Sequence, residues 1–385
     1  MDKNEIKSKI KKLQNELVIA KEKVQEFYNK EQALKLTLNS IYGSFGSEFF
    51  YFFNIDLAET VTQQGKDAIL YAEQMINKYF LEFWHKDTII HEKMGIKITA
   101  PLTQLAGIYI DTDSCFVQFG EMFDKQVGWD KDISSFILTL YNLRLKEYLE
   151  KVFLKYAKKF NTDNYLNFEL EKITKSSIWL AKKKYVEDII WTDPDVHYDS
   201  LTNIKAKGFE IVQSSTPYFA RKILKEVLKF IFSQDTLQLD KVVRLLYTIK
   251  QKFKLTDIEL LSKNLKISNY NKFIINDYDK LEVSKGCPIH IRGSAYFNYL
   301  INSDKKLKGK YNLIKSGDKV KMYYCKSDIS NIFAYISGNF PYEIAPPIDY
   351  DLQFEKVILD PINRILKSLG LHTLDANLIY SSRVF

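Results

Sequence analysis

The sequence predicts an α+β fold, on three observations. Residues 2–39 hold no Pro or Gly and set apolar side chains at alternating steps of four and three, the signature of a long helix. Residues 96–119 and 166–191 alternate apolar and polar around short turns, so each reads as a strand pair. Helical spacing returns over 132–160 and, among basic residues, over 217–265.

Taken in order, the first element carries Ile6, Ile10, Leu13, Leu17, Ala20, Val24 and Phe27 along one seam. At about 1.5 Å per residue, a helix over 2–39 would run roughly 55–60 Å, longer than a small domain is wide. It should therefore project, and its seam needs a partner that no second long helix nearby supplies. Gly43 and Gly46 in "NSIYGSFGSEFF" are expected to end it. A second helix is expected over 55–83. After "KGFEIVQSSTP" the character changes, and Pro217 sits where a helix could begin, so 214–217 is the best domain boundary. The remainder mixes short strands and helices.

Composition bounds what this chain can be. It has 385 residues, enough for two or three domains, and its 46% hydrophobic content is ample for cores and argues against disorder. A formal charge of +8 suits a nucleic-acid partner but is shared by many ordinary proteins. Cys115, Cys287 and Cys325 lie far apart with no CxxC pair, which disfavours a zinc site or disulfide framework and points to a reducing cytosol. The charged, helical start is unlike a signal peptide, and no apolar run approaches the ~20 residues of a membrane span. A soluble, cytoplasmic protein with no membrane partner is the expectation.

The chemistry-bearing stretch is "GIYIDTDSCFVQFG", residues 107–120. Asp111 and Asp113 are two residues apart; their side chains share a face of an extended chain and converge at a hairpin tip. Two adjacent carboxylates repel, and burying them unpaired is costly. A hard cation would relieve both problems, and oxygen-only donors select magnesium or a similar ion. The same four residues, Asp-Thr-Asp-Ser, also make a good turn capped by its own side chains.

Two further patches share that ambiguity. Lys35, Asn39 and Tyr42 occupy one face of the first helix, beside the apolar row Leu34, Leu38 and Ile41. They could offer a cation, an amide and a ring to a nucleotide, or form a solvated face. The run Lys182-Lys183-Lys184, beside Trp179 and Tyr185, reads either as a solvated strand edge or as a surface tracking a duplex.

In order, "KLTLNSIYG", "IYIDTDS", "FELEKI" and "LAKKKY" resemble the ordered signature of family B DNA polymerases. "KGFEIVQSSTP" and "CPIHIRGSAYF" resemble the end of the palm and a thumb segment in polymerases of large tailed phages, and "FEKVILDPINRIL" their last helical region. The resemblance covers nearly the whole chain. It implies a long fingers helix over 1–43, a palm with an antiparallel sheet over 44–213, and a mainly helical thumb over 214–385.

The resemblance also implies roles. Asp113 would be the main metal ligand, Asp111 its neighbouring carboxylate, and Glu171 an acidic residue close to the metals. Lys35 would contact the triphosphate of an incoming dNTP, Asn39 would lie near the triphosphate and primer end, and Tyr42 would pack under the nascent pair. Gly43 would let the backbone approach that pair. Lys183, Lys184 and Tyr185 would lie at the primer-terminal pair, while Lys207, Gly208, His290 and Arg292 would grip primer-template DNA through its backbone. A lone histidine such as His290 is otherwise more often structural. Two Mg2+ ions, for which Mn2+ can substitute, are the implied cofactors of attack by the primer 3′-hydroxyl on the α-phosphorus.

The family's second metal-binding aspartate belongs to a motif resembling DxxSLYP, and no such motif occurs in these 385 residues. The lone DxE, Asp257 to Glu259, reads as solvated rather than as an exonuclease motif. The sequence starts with Met1 where the second fingers helix should begin, so the expectation is the C-terminal subunit of a split polymerase. Its partner chain would carry the N-terminal domain, the exonuclease and the first fingers helix; the alternative origin is a piece cut from a longer protein. A different class of reading is a catalytically silent DNA-binding or scaffold remnant. Val384 and Phe385, in "SSRVF", stand where phage members carry a tail that binds a sliding clamp.

Overall fold

In the computed structural model, which describes residues 3–380, the first helix spans Lys3–Phe45, 43 residues or about 65 Å. It runs through Gly43, where the sequence suggested an end: one interior glycine costs only about 1 kcal/mol, and the turn comes at Gly46. The seam is as expected, but no described element covers it. Ile10, Leu13, Leu17, Val24 and Phe27 are between 49% and 69% exposed.

The described chain divides between Glu169 and Leu170 into two compact units. In the first, Asn54 caps the helix Ile55–Lys78 by accepting from the Leu57 amide at 2.9 Å. Ala58, Ala68, Ile69, Ala72 and Ile76 form that helix's buried stripe. The coil then widens through Tyr79–Phe83 and delivers Phe80 and Trp84, both fully buried, into the core. The helices Ile133–Leu140 and Lys146–Lys158 are joined by a wide turn, Tyr141–Leu145, and close the unit with Phe136, Leu140 and Phe153. Between these helical parts lies one antiparallel hairpin, β1 (Gly107–Asp111) and β2 (Ser114–Val117).

The second unit opens on β3 (Lys172–Ala181) and β4 (Lys184–Thr192), with β5 (Val196–His197) and β6 (Ile204–Lys207) also antiparallel to β4. Ile178, Val186 and Ile204 point from this sheet into a core shared with the helices Tyr218–Phe232 and Leu239–Lys254. Residues on both sides of 214–217 therefore contribute to one hydrophobic core. The helical expectation for 217–265 fails at its end, because β7 (Lys263–Lys266) pairs with β10 (Lys319–Tyr324). That partner lies more than fifty residues away, so nothing local announced it.

A small hairpin, β8 (Ile274–Asn276) with β9 (Glu282–Val283), precedes the helix Ile289–Ser303. That helix packs on β10 and β11 (Ile332–Ile336) around Phe297, Tyr323 and Phe333. Gly293 makes the approach possible: a Cβ there would meet Ile332 Cγ2 at 2.9 Å and the β11 backbone at 3.2 Å. All strand pairs among the described residues are antiparallel, and long helices alternate with them, so the chain is α+β. No helix among the described residues is long and apolar enough to cross a membrane.

Candidate active site

The two aspartates occupy the tip of β1–β2. Asp111 ends β1 opposite Ser114, leaving Thr112 and Asp113 as a two-residue loop. Thr112 has φ +61°, a left-handed conformation that β-branched residues rarely adopt. The turn is tied by Asp113 N–H donating to the Asp111 carbonyl at 2.7 Å and by the Ser114 hydroxyl donating to the same oxygen at 3.1 Å. Asp111 is 5% exposed, whereas Asp113 is open to solvent. The hairpin thus presents one carboxylate outward and keeps the other beneath it.

Two side chains absent from the sequence reading hold this hairpin. The Asn77 side-chain Oδ1, on the second helix, accepts from the Gly107 amide at 2.8 Å in a buried position. Gly107 has no room for a side chain there, since a Cβ would lie 2.7 Å from Glu73 Cγ. Glu121, just past β2, accepts from the amides of Thr103 and Gln104 at 2.9 and 2.8 Å and pairs with Lys125 at 2.8 Å. Burial works against the Glu121 charge, but Lys125 and the Thr103 and Gln104 donors outweigh it and hold the carboxyl down at about 2. Cys115, across from Ile110, has its thiol pushed up to about 12 by burial and then by Glu73, which makes it an inert filler.

Lys35, Asn39, Tyr42 and Gly43 all lie exposed on the last turns of the first helix. Among the described residues, no hydrogen bond or ion pair joins them to the hairpin. Glu171 belongs to the second unit; it is exposed, and its carbonyl accepts from the Asp193 amide at 3.0 Å. No group of three or more His, Cys, Asp or Glu that could hold a metal occurs among the described residues.

The lysine run forms the tip of β3–β4, with Lys182 and Lys183 in the loop and Lys183 at φ +60°. Tyr185 is 5% exposed: its ring lies 4.7 Å from that of Trp179, with the Lys207 ammonium 5.9 Å from its centroid. β6 brings Lys207 opposite Tyr185, and Gly208 follows at φ +64°. A Cβ on Gly208 would sit 2.3 Å from the Lys183 carbonyl, so glycine is required both by backbone conformation and by contact. The structure therefore joins Lys183, Lys184, Tyr185, Lys207 and Gly208 in one patch.

His290 and Arg292 lie in the first turn of the helix Ile289–Ser303. Burial holds the His290 imidazole below its ordinary pKa. The Arg292 Nε is buried without a hydrogen-bond partner. The expected clamp-binding residues Val384 and Phe385 lie outside the described residues.

A family model of DNA polymerase family B matches residues 2–159 and 155–369. The DNA-directed DNA polymerase of Escherichia phage RB69 is 24% identical over 93% of this chain and 40% of its own length. That of Enterobacteria phage T4 is 22% identical over 96% of this chain and 40% of its own, and the mouse DNA polymerase alpha catalytic subunit is 24% identical over 86% and 18%. The chain therefore spans about two-fifths of the length of these phage relatives. The match runs through the acidic hairpin, the lysine-tipped strands and the helices beyond them, and on it this chain belongs to DNA polymerase family B.

Proposed function

We propose that this chain takes part in DNA-directed DNA synthesis and contributes Asp111 and Asp113 to a nucleotidyl-transfer centre completed by polypeptide outside this sequence. The observation that carries this reading is the hairpin: a two-residue turn that exposes Asp113 and buries Asp111 at the end of β1. Residues 1–43 serve as a fingers helix, 44–213 as the palm portion and 214–385 as the thumb. Primer-template DNA and dNTPs are the substrates.

The donor set fits a hard cation in part. Two carboxylate groups at one tip supply oxygen donors of the right kind, but too few to enclose an ion. Asp113 would hold the metal, with Asp111 as its neighbouring carboxylate; Glu171 would be a further acidic residue of the centre, and the other essential aspartate comes from the completing polypeptide. When bound, two Mg2+ ions lower the cost of forming the attacking alkoxide and of releasing pyrophosphate. Lys35 neutralises phosphate charge, Asn39 orients the triphosphate, and Tyr42 with Gly43 supports the new base pair. Lys183, Lys184, Tyr185, Lys207, Gly208, His290 and Arg292 hold the primer strand without reading its sequence.

The exposed seam on the first helix supports the need for a second polypeptide, since five large apolar side chains stand uncovered along it. Primer extension tests the proposal. This chain alone should be inactive, and a mixture with a polypeptide carrying the missing aspartate, exonuclease and first fingers helix should extend primers. Asp113→Asn should lower the rate of the mixture by at least a hundredfold, on the scale expected for losing a metal-held carboxylate. Extension by this chain alone would remove the case for an external carboxylate. DNA binding without activity in any mixture would favour the silent remnant.

A further inference from the structure

The sheet of β3, β4 and β6 has two faces. Ile178, Val186 and Ile204 point into the hydrophobic core, so by strand alternation Tyr185 and Glu187 of β4 lie on the other face. There Trp179 of β3 and Lys207 of β6 both stand opposite Tyr185. Lys172, the first residue of β3, pairs in register with Thr192, well along β4 from Glu187. The ladder is interrupted between Ile173 and Ser176, and bulges of this kind bend the strands that carry them. Across that bend the Lys172 ammonium reaches the Glu187 carboxylate at 2.6 Å.

Stability alone does not account for this ion pair. The Glu187 side chain is 3% exposed and that of Lys172 25%. Taking a carboxylate out of water costs free energy that one close cation offsets only in part, and apolar residues of similar size would hold the strands as well. The second Glu187 oxygen, Oε1, is buried with no hydrogen-bond partner among the described residues, which adds to the cost. What the pair does achieve is to fix an ammonium in space. Lys172 Nζ lies 5.6 Å from the centroid of the Tyr185 ring, close enough to be attracted by the ring's electron-rich face. Lys207 Nζ stands 5.9 Å from the same centroid, and the Trp179 ring lies 4.7 Å away, tilted by 40°. Two cations and an indole thus locate Tyr185, and one of those cations is itself located by a buried carboxylate.

We propose that Glu187 and Lys172 are positioning residues for Tyr185: the carboxylate holds the ammonium, and the ammonium holds the ring in the orientation that meets the primer end. This role rests on the primer grip proposed for Tyr185. A ring already held in place offers the primer a preformed surface, so the cost of ordering it does not fall on binding. Lys172 is engaged by Glu187 and acts through the ring, whereas Lys183, Lys184 and Lys207 are the cations assigned to the primer backbone.

Fluorescence anisotropy of a labelled recessed primer-template, titrated with the whole chain over a series of salt concentrations, tests it. Glu187→Gln keeps the shape of the side chain but releases the ammonium, and should weaken binding about fivefold. Lys172→Met combined with Glu187→Leu removes both buried charges, so its melting temperature should not fall, yet it should lose the same affinity. Lys172→Arg, which keeps the cation, should stay within about twofold of wild type. The slope of log affinity against log salt should be the same in all of them, whereas a lost phosphate contact would reduce it by about one. Tyr185→Ala alone should weaken binding comparably, and adding Glu187→Gln to it should change nothing more. Wild-type affinity in Glu187→Gln and in the double variant, with Tyr185→Ala binding weakly, overturns the positioning role and leaves the primer grip standing. A reduced salt slope, or losses that add in the Tyr185→Ala background, also overturns it, because the pair then acts on DNA directly. Wild-type affinity in Tyr185→Ala removes the primer grip and the positioning role with it.

Discussion

Gly208 shows how one missing side chain can organise a surface. Its φ of +64° and the 2.3 Å approach of the Lys183 carbonyl leave no place for a Cβ. Gly208→Ala should destabilise the second unit by about 2–3 kcal/mol in chemical denaturation, combining left-handed strain with a backbone clash. Glu121 is a second such residue. Glu121→Ala should cost on the order of 2–4 kcal/mol, because the Thr103 and Gln104 amides lose their acceptor. Its carboxyl is depressed in the folded state from 4.5 to about 2, so its contribution is fully present above 4.5 and lost as pH falls towards 2. Melting curves of wild type and Glu121→Gln from pH 7 to pH 2.5 should accordingly converge at the acid end.

At the scale of elements, the first helix is the anomaly. Most helices owe their stability to a buried stripe, and here the stripe is exposed along its length. Leu13→Lys with Leu17→Lys should therefore change the stability of this chain alone by less than about 0.5 kcal/mol, as surface substitutions do. In the mixture with a completing polypeptide, the same pair should sharply reduce complex formation, read by analytical ultracentrifugation. Equal assembly of wild type and variant would show that the seam is not where the second polypeptide packs. The hairpin β1–β2 is the opposite case, a short element held by others. Two strands are rarely stable alone, and Asn77 and the Glu121-bound loop supply what the strands lack.

Across the whole molecule, each unit has its own arrangement, and the second carries two cores. The first of these joins strands and helices from both sides of residues 214–217. Leu228, fully buried there, is a direct probe: Leu228→Ala should cost about 2–5 kcal/mol, with hydrogen exchange rising along β3–β4 as well as along its own helix. Exchange that rose only within Tyr218–Phe232 would mean that the sheet and the helices do not unfold as one.

The sequence by itself determined the long first helix, the acidic hairpin, the lysine-tipped strand pair and the order of motifs that marks the family. Each rests on local periodicity or on a turn a few residues long, which short-range chemistry controls. Only the tertiary structure decided that Asn77 grips Gly107, that Glu121 anchors the loop before β1, that Gly293 lets a helix touch a sheet, and that β7 is a strand. These are contacts between residues distant in the chain. Their energies depend on the backbone positions of both partners, and local spacing carries no record of them.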